Sequence, residues 1–272
     1  MRTSFFSQLG NPQLVLFLSR MPGPSSLRRV VRWGLACVAL LGALPAVSQS
    51  RLDDMAERTR ACAACHGEQG RAGPDGYYPR IAGKPAGYIY NQLLNFKEGR
   101  RHYGLMTRLV DPLTDAYLWD MAQYFASLDV PYPPPSARQP ATTAQQLARG
   151  RQLALVGDTS LNMPACTSCH GERLTGLLPH APGLLGLPRD YVNAQLGAWR
   201  NGQRRAHAPD CMAQIAKRLS ADDLTAVATW LGMQALPANT RPSAATSAAL
   251  TVGQSAHMPC GTADLPVAKA RP

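Results

Sequence analysis

Cys62-Ala63-Ala64-Cys65-His66 and Cys166-Thr167-Ser168-Cys169-His170 are two copies of one pattern, C-x-x-C-H, set 104 residues apart. That spacing is the attachment signature of c-type haem. Two thiols two residues apart reach the two vinyl groups of one haem and form thioethers. The adjacent histidine is then held under the iron as its proximal ligand. The pattern predicts two covalently bound haem c groups, attached through Cys62, Cys65, Cys166 and Cys169, with His66 and His170 on the iron. Zinc and dithiol chemistry also use paired cysteines. A zinc ribbon separates its C-x-x-C pairs by roughly 15–20 residues, far less than here, and a thioredoxin-like dithiol sits near a βαβ pattern, which this sequence lacks.

Outward from the motifs, the two halves of the chain repeat each other. Pro79, Ile81 and Gly83 match Pro182, Leu184 and Gly186 at an offset of 103. Tyr88, Gln92, Leu93, Phe96 and Gly99 match Tyr191, Gln195, Leu196, Trp199 and Gly202 at the same offset. Beyond a small insertion the offset becomes 106, and Met106, Leu113 and Tyr124 match Met212, Leu219 and Trp230. The repeat divides the chain into a first domain over 49–129 and a second over 144–236. A proline-rich spacer over 130–143 joins them, and an Ala/Ser/Thr/Pro-rich tail, expected to be mobile, covers 237–272.

Each half reads as helical. Thr114 caps a helix carrying Leu118, Met121, Phe125 and Leu128 on one stripe. Ser220 and Asp223 form a capping box ahead of Leu224, Val227 and Leu231. Middle helices are expected near 86–98 and 189–201, and a short helix before each haem motif. No segment sustains a period of two, so sheet content should be minimal.

Residues 1–48 form a leader. Arg28, Arg29 and Arg32 precede an apolar run from Trp33 to Leu44 and a small-residue site at Ala46-Val47-Ser48. This is the pattern of a secretory signal, too short for a membrane span, and Met21 is its better-placed start. Cys37 belongs to its apolar core. The expected address is the periplasm, with peripheral membrane association as an option. The formal charge of +11 includes five leader arginines and no leader acids, so the mature chain is near +6. Four haem propionates lower that to about +2. The basic pI is thus no sign of nucleic-acid binding, and no Lys/Arg run or basic helix suggests it. The mature core of roughly 185 residues suits two domains of about 90.

The chain resembles the dihaem cytochrome c4 family over roughly residues 52–235. The resemblance rests on both C-x-x-C-H motifs, on Met163-Pro164-Ala165 before the second, on the Tyr-x-x-x-Gln-Leu segments, and on the late methionines with their trailing helices. It implies an all-α fold of two tandem class I cytochrome c domains, each wrapped around one covalent haem. It also implies that a proline carbonyl, at Pro79 and Pro182, accepts the proton of the proximal histidine. Cys211 and the tail with Cys260 depart from the family pattern. These two cysteines either pair, tying the tail across the second ligand loop, or stay unlinked.

The repeat selects Met106 and Met212 as distal iron ligands, 40 and 42 residues after their histidines. A thioether there closes the sixth position and raises the potential. His102 and His207, four and five residues earlier, are the runner-up ligands, and would lower it. His180 and His257 have no repeat partner and no expected ligand role. Arg80, Lys84, Arg100, Arg101, Arg204 and Arg205 are candidates to offset propionates or to steer a partner. The implied function is a one-electron carrier between a quinol-oxidising complex or dehydrogenase and a terminal oxidase, with redox proteins as partners and no catalysis of its own. The alternatives are an electron-transfer subunit of a dehydrogenase complex and, from another class, a dihaem peroxidase. The near-identical ligand segments argue against the asymmetry a peroxidase needs.

Overall fold

Two short helices open the first half in a computed structural model that describes residues 54–73, 76–133, 141–244 and 258–266. The proposed leader, residues 134–140 of the proline-rich spacer, His257 and the tail segments 245–257 and 267–272 lie outside the described residues. Helix α1 (Met55–Arg58) is capped by Asp54, and α2 (Arg60–His66) carries the first haem motif. They are followed by α3 (Ala86–Lys97), α4 (Gly104–Val110) and α5 (Asp115–Ser127). The second half contains α6 (Ala144–Leu155), α7 (Thr167–His170) with the second motif, α8 (Arg189–Arg200), α9 (Cys211–Arg218) and α10 (Ala221–Gly232). All of it belongs to one compact unit, Leu52–Pro272.

The middle and final helices fall where the apolar stripes put them. Thr114 Oγ1 accepts from the Tyr117 amide, and Leu118, Met121 and Phe125 are buried. Ser220 and Asp223 form the reciprocal capping box of α10. Three features differ from the sequence expectation. The helix before the second motif is three turns long, because α6 has its own buried face of Gly150, Leu153 and Ala154. The ligand segments expected as loops hold short helices, α4 and α9. The described part of the expected mobile tail is docked. Ser243 pairs with the edge of a two-stranded hairpin, β1 (Gly176–Leu177) and β2 (Ala181–Pro182), while Gly261 and Ala263 hydrogen-bond elsewhere in the protein.

Each half has its own core. The first gathers Ile89, Leu93 and Leu94 of α3 with Leu118, Met121 and Phe125 of α5. The second gathers Leu153 of α6, Leu196 of α8 and Leu224, Val227 and Leu231 of α10. The closest helix contact, α6 on α10, depends on Gly150. A Cβ there would lie 2.2 Å from the Ala226 carbonyl oxygen. Arg149 beside it bonds Asp158 and Asp223, each at 2.7 Å, joining α6 to the turn before the motif and to α10. Hydrogen bonds from Ser160 and Arg149 hold the Asp158 carboxyl down at about 2. Burial pushes Asp223 up, but bonds from Arg149 and Ser220 outweigh it and leave its pKa lowered.

Gly150→Ala should destabilise the protein by about 1–3 kcal/mol. The gain in helix propensity of about 1 kcal/mol does not offset a clash with fixed backbone. A lower denaturation midpoint with unchanged slope is the expected readout. Acid should weaken the second half first. Asp158 and Asp223 have depressed folded pKa values, so their contribution is complete above the ordinary value of 3.8 and is lost as pH falls toward about 2. Melting curves between pH 5 and 2 should converge for wild type and Arg149→Met as pH falls.

Candidate haem sites and the seam between them

Both motif helices end in the same way. The residue after each histidine is a glycine with positive φ, Gly67 at 74° and Gly171 at 83°. A side chain at Gly67 would meet the Ala72 carbonyl oxygen at 2.4 Å. The glycine lets the chain reverse sharply and bring back a proline carbonyl to the histidine. His66 Nδ1–H donates to Pro79 at 2.8 Å, and His170 Nδ1–H donates to Pro182 at 2.7 Å. A carbonyl can only accept, so the proton is on Nδ1 and the Nε2 lone pair is left for a metal. Burial outweighs these bonds and lowers both imidazole pKa values, which favours the neutral form a ligand requires.

The four motif cysteines are not disulfide-bonded. Burial pushes the Cys166 thiol up to about 12, and raises Cys62 and Cys169 as well. A reactive dithiol is favoured by the opposite shift. Among the described residues no three of His, Cys, Asp and Glu converge on a metal-sized site.

In the second half Cys166, Cys169 and His170 line a cavity of about 260 Å³, partly open to solvent. Met212 of α9 lines it too, and so do Leu196, Val227 and Leu231. The cavity fits a haem in more than its apolar wall. Trp199 Nε1 is a buried donor of a residue that lines it, and among the described residues it has no acceptor. Arg204 and Lys84 also line it, the latter reaching across from the first half. Both are buried, and among the described residues neither forms an ion pair with a carboxylate. Carboxylate groups of a bound haem would satisfy all three. In the first half Cys62 and Met106 pack against the same hydrophobic cluster.

The halves meet through equivalent residues. Arg101 and Arg204 form an antiparallel bridge. Arg101 donates to Gln92 and Gln195 at 3.0 and 2.7 Å, and Arg204 donates to the same two oxygens at 2.8 Å each. Each guanidinium also stacks on the aromatic ring at the equivalent position of its own half, Phe96 at 4.6 Å and Trp199 at 3.7 Å. Burial pushes the Tyr88 phenol up, but Arg204, Arg101 and Lys84 outweigh it and hold it at about 8.

Other candidates have other roles. Arg80 donates to the carbonyls of Ala82, Val130 and Pro131 and lies over the Tyr132 ring, so it fastens the spacer. Arg100 Nη2 donates to His207 Nε2 at 2.8 Å. That bond occupies the lone pair His207 would need as a ligand. His102 is exposed, as is Arg205. His180 lines the second cavity and contacts Asn91 at 3.3 Å. Sequence reasoning missed Asn91, Trp199 Nε1 and Met258 as cavity residues. Only the 96/199 repeat pairing gave any hint of Trp199.

No family model matches the chain. The thiosulfate dehydrogenase electron acceptor of Thiomonas intermedia is 34% identical over 210 residues, covering 77% of this chain and 93% of that protein. Cytochrome c4 of Pseudomonas aeruginosa is 33% identical over 178 residues, covering 64% and 84%. The crystal structure of reduced cytochrome c4 from Pseudomonas stutzeri superposes with a TM-score of 0.55 at 29% identity, over 65% of this chain and 95% of that one. Two histidine-bearing motif helices, duplicated in one helical body and matched along most of these relatives, give one conclusion. The chain belongs to the dihaem cytochrome c4 family, with two class I cytochrome c domains and two covalent haem c groups, and is an electron carrier.

Proposed function

We propose that this chain is a periplasmic carrier that accepts electrons from a dehydrogenase of the thiosulfate-oxidising type and passes them to a terminal oxidase. The observation that carries the reading is its likeness to a thiosulfate dehydrogenase electron acceptor over 93% of that protein. Oxidations at dehydrogenases commonly release electrons in pairs, and two one-electron sites on one body match that stoichiometry. A quinol-oxidising complex is the second candidate donor, favoured by the likeness to cytochromes c4. The periplasmic address is supported by the signal-like leader and by the Cys211–Cys260 disulfide, a bond that persists in oxidising compartments.

In this reading Cys62 and Cys65 hold one haem and Cys166 and Cys169 the other. His66 and His170 are the proximal ligands, Met106 and Met212 the distal ones. Bound haem supplies reversible Fe(III)/Fe(II) chemistry, one electron at a time. The chain sets the rest. The Pro79 and Pro182 carbonyls fix the imidazole rings and raise their basicity. As distal ligands the methionine thioethers would favour the ferrous state and would fill the position that other ligands need. Support for Met212 over His207 comes from the Arg100 bond on His207 Nε2. Two methionines at equivalent positions leave neither site open, which argues against a peroxidase.

The methionine-to-iron charge-transfer band of the oxidised protein should correspond to two haems. Met106→His and Met212→His should each remove one half of it and lower one potential by more than about 59 mV, or about 1.4 kcal/mol for one electron. His207→Ala should leave the band intact; its loss there would make His207 the ligand-determining residue. In stopped-flow mixing, thiosulfate with catalytic thiosulfate dehydrogenase should reduce both haems. Faster reduction by a quinol-oxidising complex than by the dehydrogenase would transfer the assignment to the second donor.

A further inference from the structure

The two halves differ sharply at one repeat-equivalent place. Leu105 and Leu109 of α4 are 48% and 54% exposed. Their counterparts at the 106 offset are Cys211 and Ile215 of α9. Cys211 is disulfide-bonded to Cys260, and Ile215 is packed against the second core. The bond places a piece of the C-terminal tail directly beside Met212. From there the segment 258–266 crosses the seam. The Gly261 amide donates to the Pro209 carbonyl at 2.8 Å, and a Cβ on Gly261 would lie 2.2 Å from the Ala208 carbonyl oxygen. Met258, Cys260, Gly261 and Thr262 form part of the wall of the second cavity. Beyond them the Ala263 amide donates to Asn91 Oδ1 at 2.9 Å, and Ala263 and Leu265 pack against the core of the first half. One end of the segment is covalently fixed to the distal-ligand helix of one domain. The other end rests on the body of the other domain.

We propose that residues 258–266 are a disulfide-anchored strap that holds Met212 on its iron and shields the methionine side of the second haem, making the two haems inequivalent. Cys260 is thus a positioning residue that acts through Cys211 and α9. Among the described residues no such strap lies on the first ligand helix, where Leu105 and Leu109 are exposed, so the methionine of the first haem is the less braced of the two. The proposal rests on Met212 as the distal ligand. An entering ligand binds only to the fraction of molecules in which the methionine has left, so a brace on α9 reduces its apparent affinity in proportion.

The test is imidazole titration of the oxidised holoprotein, followed through loss of the methionine-to-iron band at each haem. Wild type should bind imidazole in two phases, the tighter one lost in Met106→His. Cys260→Ser should tighten the weaker phase by about tenfold, equivalent to about 1.4 kcal/mol, and leave the other phase unchanged. Leu265→Asp, which keeps the disulfide but undocks the far end, should tighten the same phase by a smaller factor, and covers the case of a Cys260→Ser protein that fails to fold. Amide exchange in 211–218 should rise in both variants. Wild-type titration curves in the variants, or equal affinity at the two haems of the wild type, would overturn the strap. A wild-type protein that lacks the methionine band at the second haem would instead overturn the ligand assignment beneath it.

Discussion

Lys84 and Arg204 are buried and Arg101 is half-buried between the two domains, and the hydrogen-bond acceptors the two guanidiniums meet there are the neutral oxygens of Gln92 and Gln195 and the Tyr88 hydroxyl. Burying a cation without a counter-charge costs several kcal/mol per ion, and carboxamide oxygens satisfy hydrogen-bond geometry without cancelling charge. Two haem c groups bring four carboxylates to the protein. Partnership between these anions and the seam cations would link domain docking to haem uptake. Trp199 Nε1, a buried donor without an acceptor among the described residues, follows the same logic. The arrangement explains why a basic chain with little nucleic-acid character keeps several of its positive charges away from solvent.

Duplication supplies the symmetry of that seam. Gln92 and Gln195, Arg101 and Arg204, and Phe96 and Trp199 are repeat pairs that face each other or act alike. Departures from symmetry are the three-turn α6 with its Gly150 crossing, the β1–β2 hairpin extended by Ser243, and the strap on α9, which itself reaches across to the first half. A repeated unit thus keeps the paired residues that must match across the interface and varies the elements around them.

Most of the chemistry was legible because it is local. Two cysteines and a histidine within five residues state their purpose, and helix stripes and caps such as Ser220 with Asp223 are read from four residues. Met106 and Met212 stood out as ligand candidates only because the repeat supplied an internal alignment. The cross-domain reach of Lys84 and the roles of Asn91 and Arg80 were not legible, since each depends on contacts with residues remote in the chain that leave no periodic trace. Lys84 enters the cavity of the other domain, Asn91 receives the strap, and Arg80 fastens the spacer. The tail misled for a related reason. Its Ala/Ser/Thr/Pro composition signals weak self-structure, and says nothing of a segment held by a covalent bond.

Energetics indicate how much the strap owes to that bond. Ordering the nine residues 258–266 costs on the order of 9 kcal/mol, at about 1 per residue. The two backbone hydrogen bonds contribute about 1 kcal/mol each. Leu265 and Ala263, both only partly buried, contribute about 2 more together. That leaves a shortfall of about 5 kcal/mol. A disulfide closing a loop of 49 residues stabilises by roughly 4 kcal/mol in the chain-entropy account, which brings the balance to within about 1. Contacts alone do not keep this segment on the protein. With the bond it is close to neutral, so a modest further contribution from a filled haem cavity decides whether it stays closed. Reduction of the Cys211–Cys260 pair would therefore be expected to release the strap from the distal side of the second haem, although neither cysteine belongs to the haem attachment.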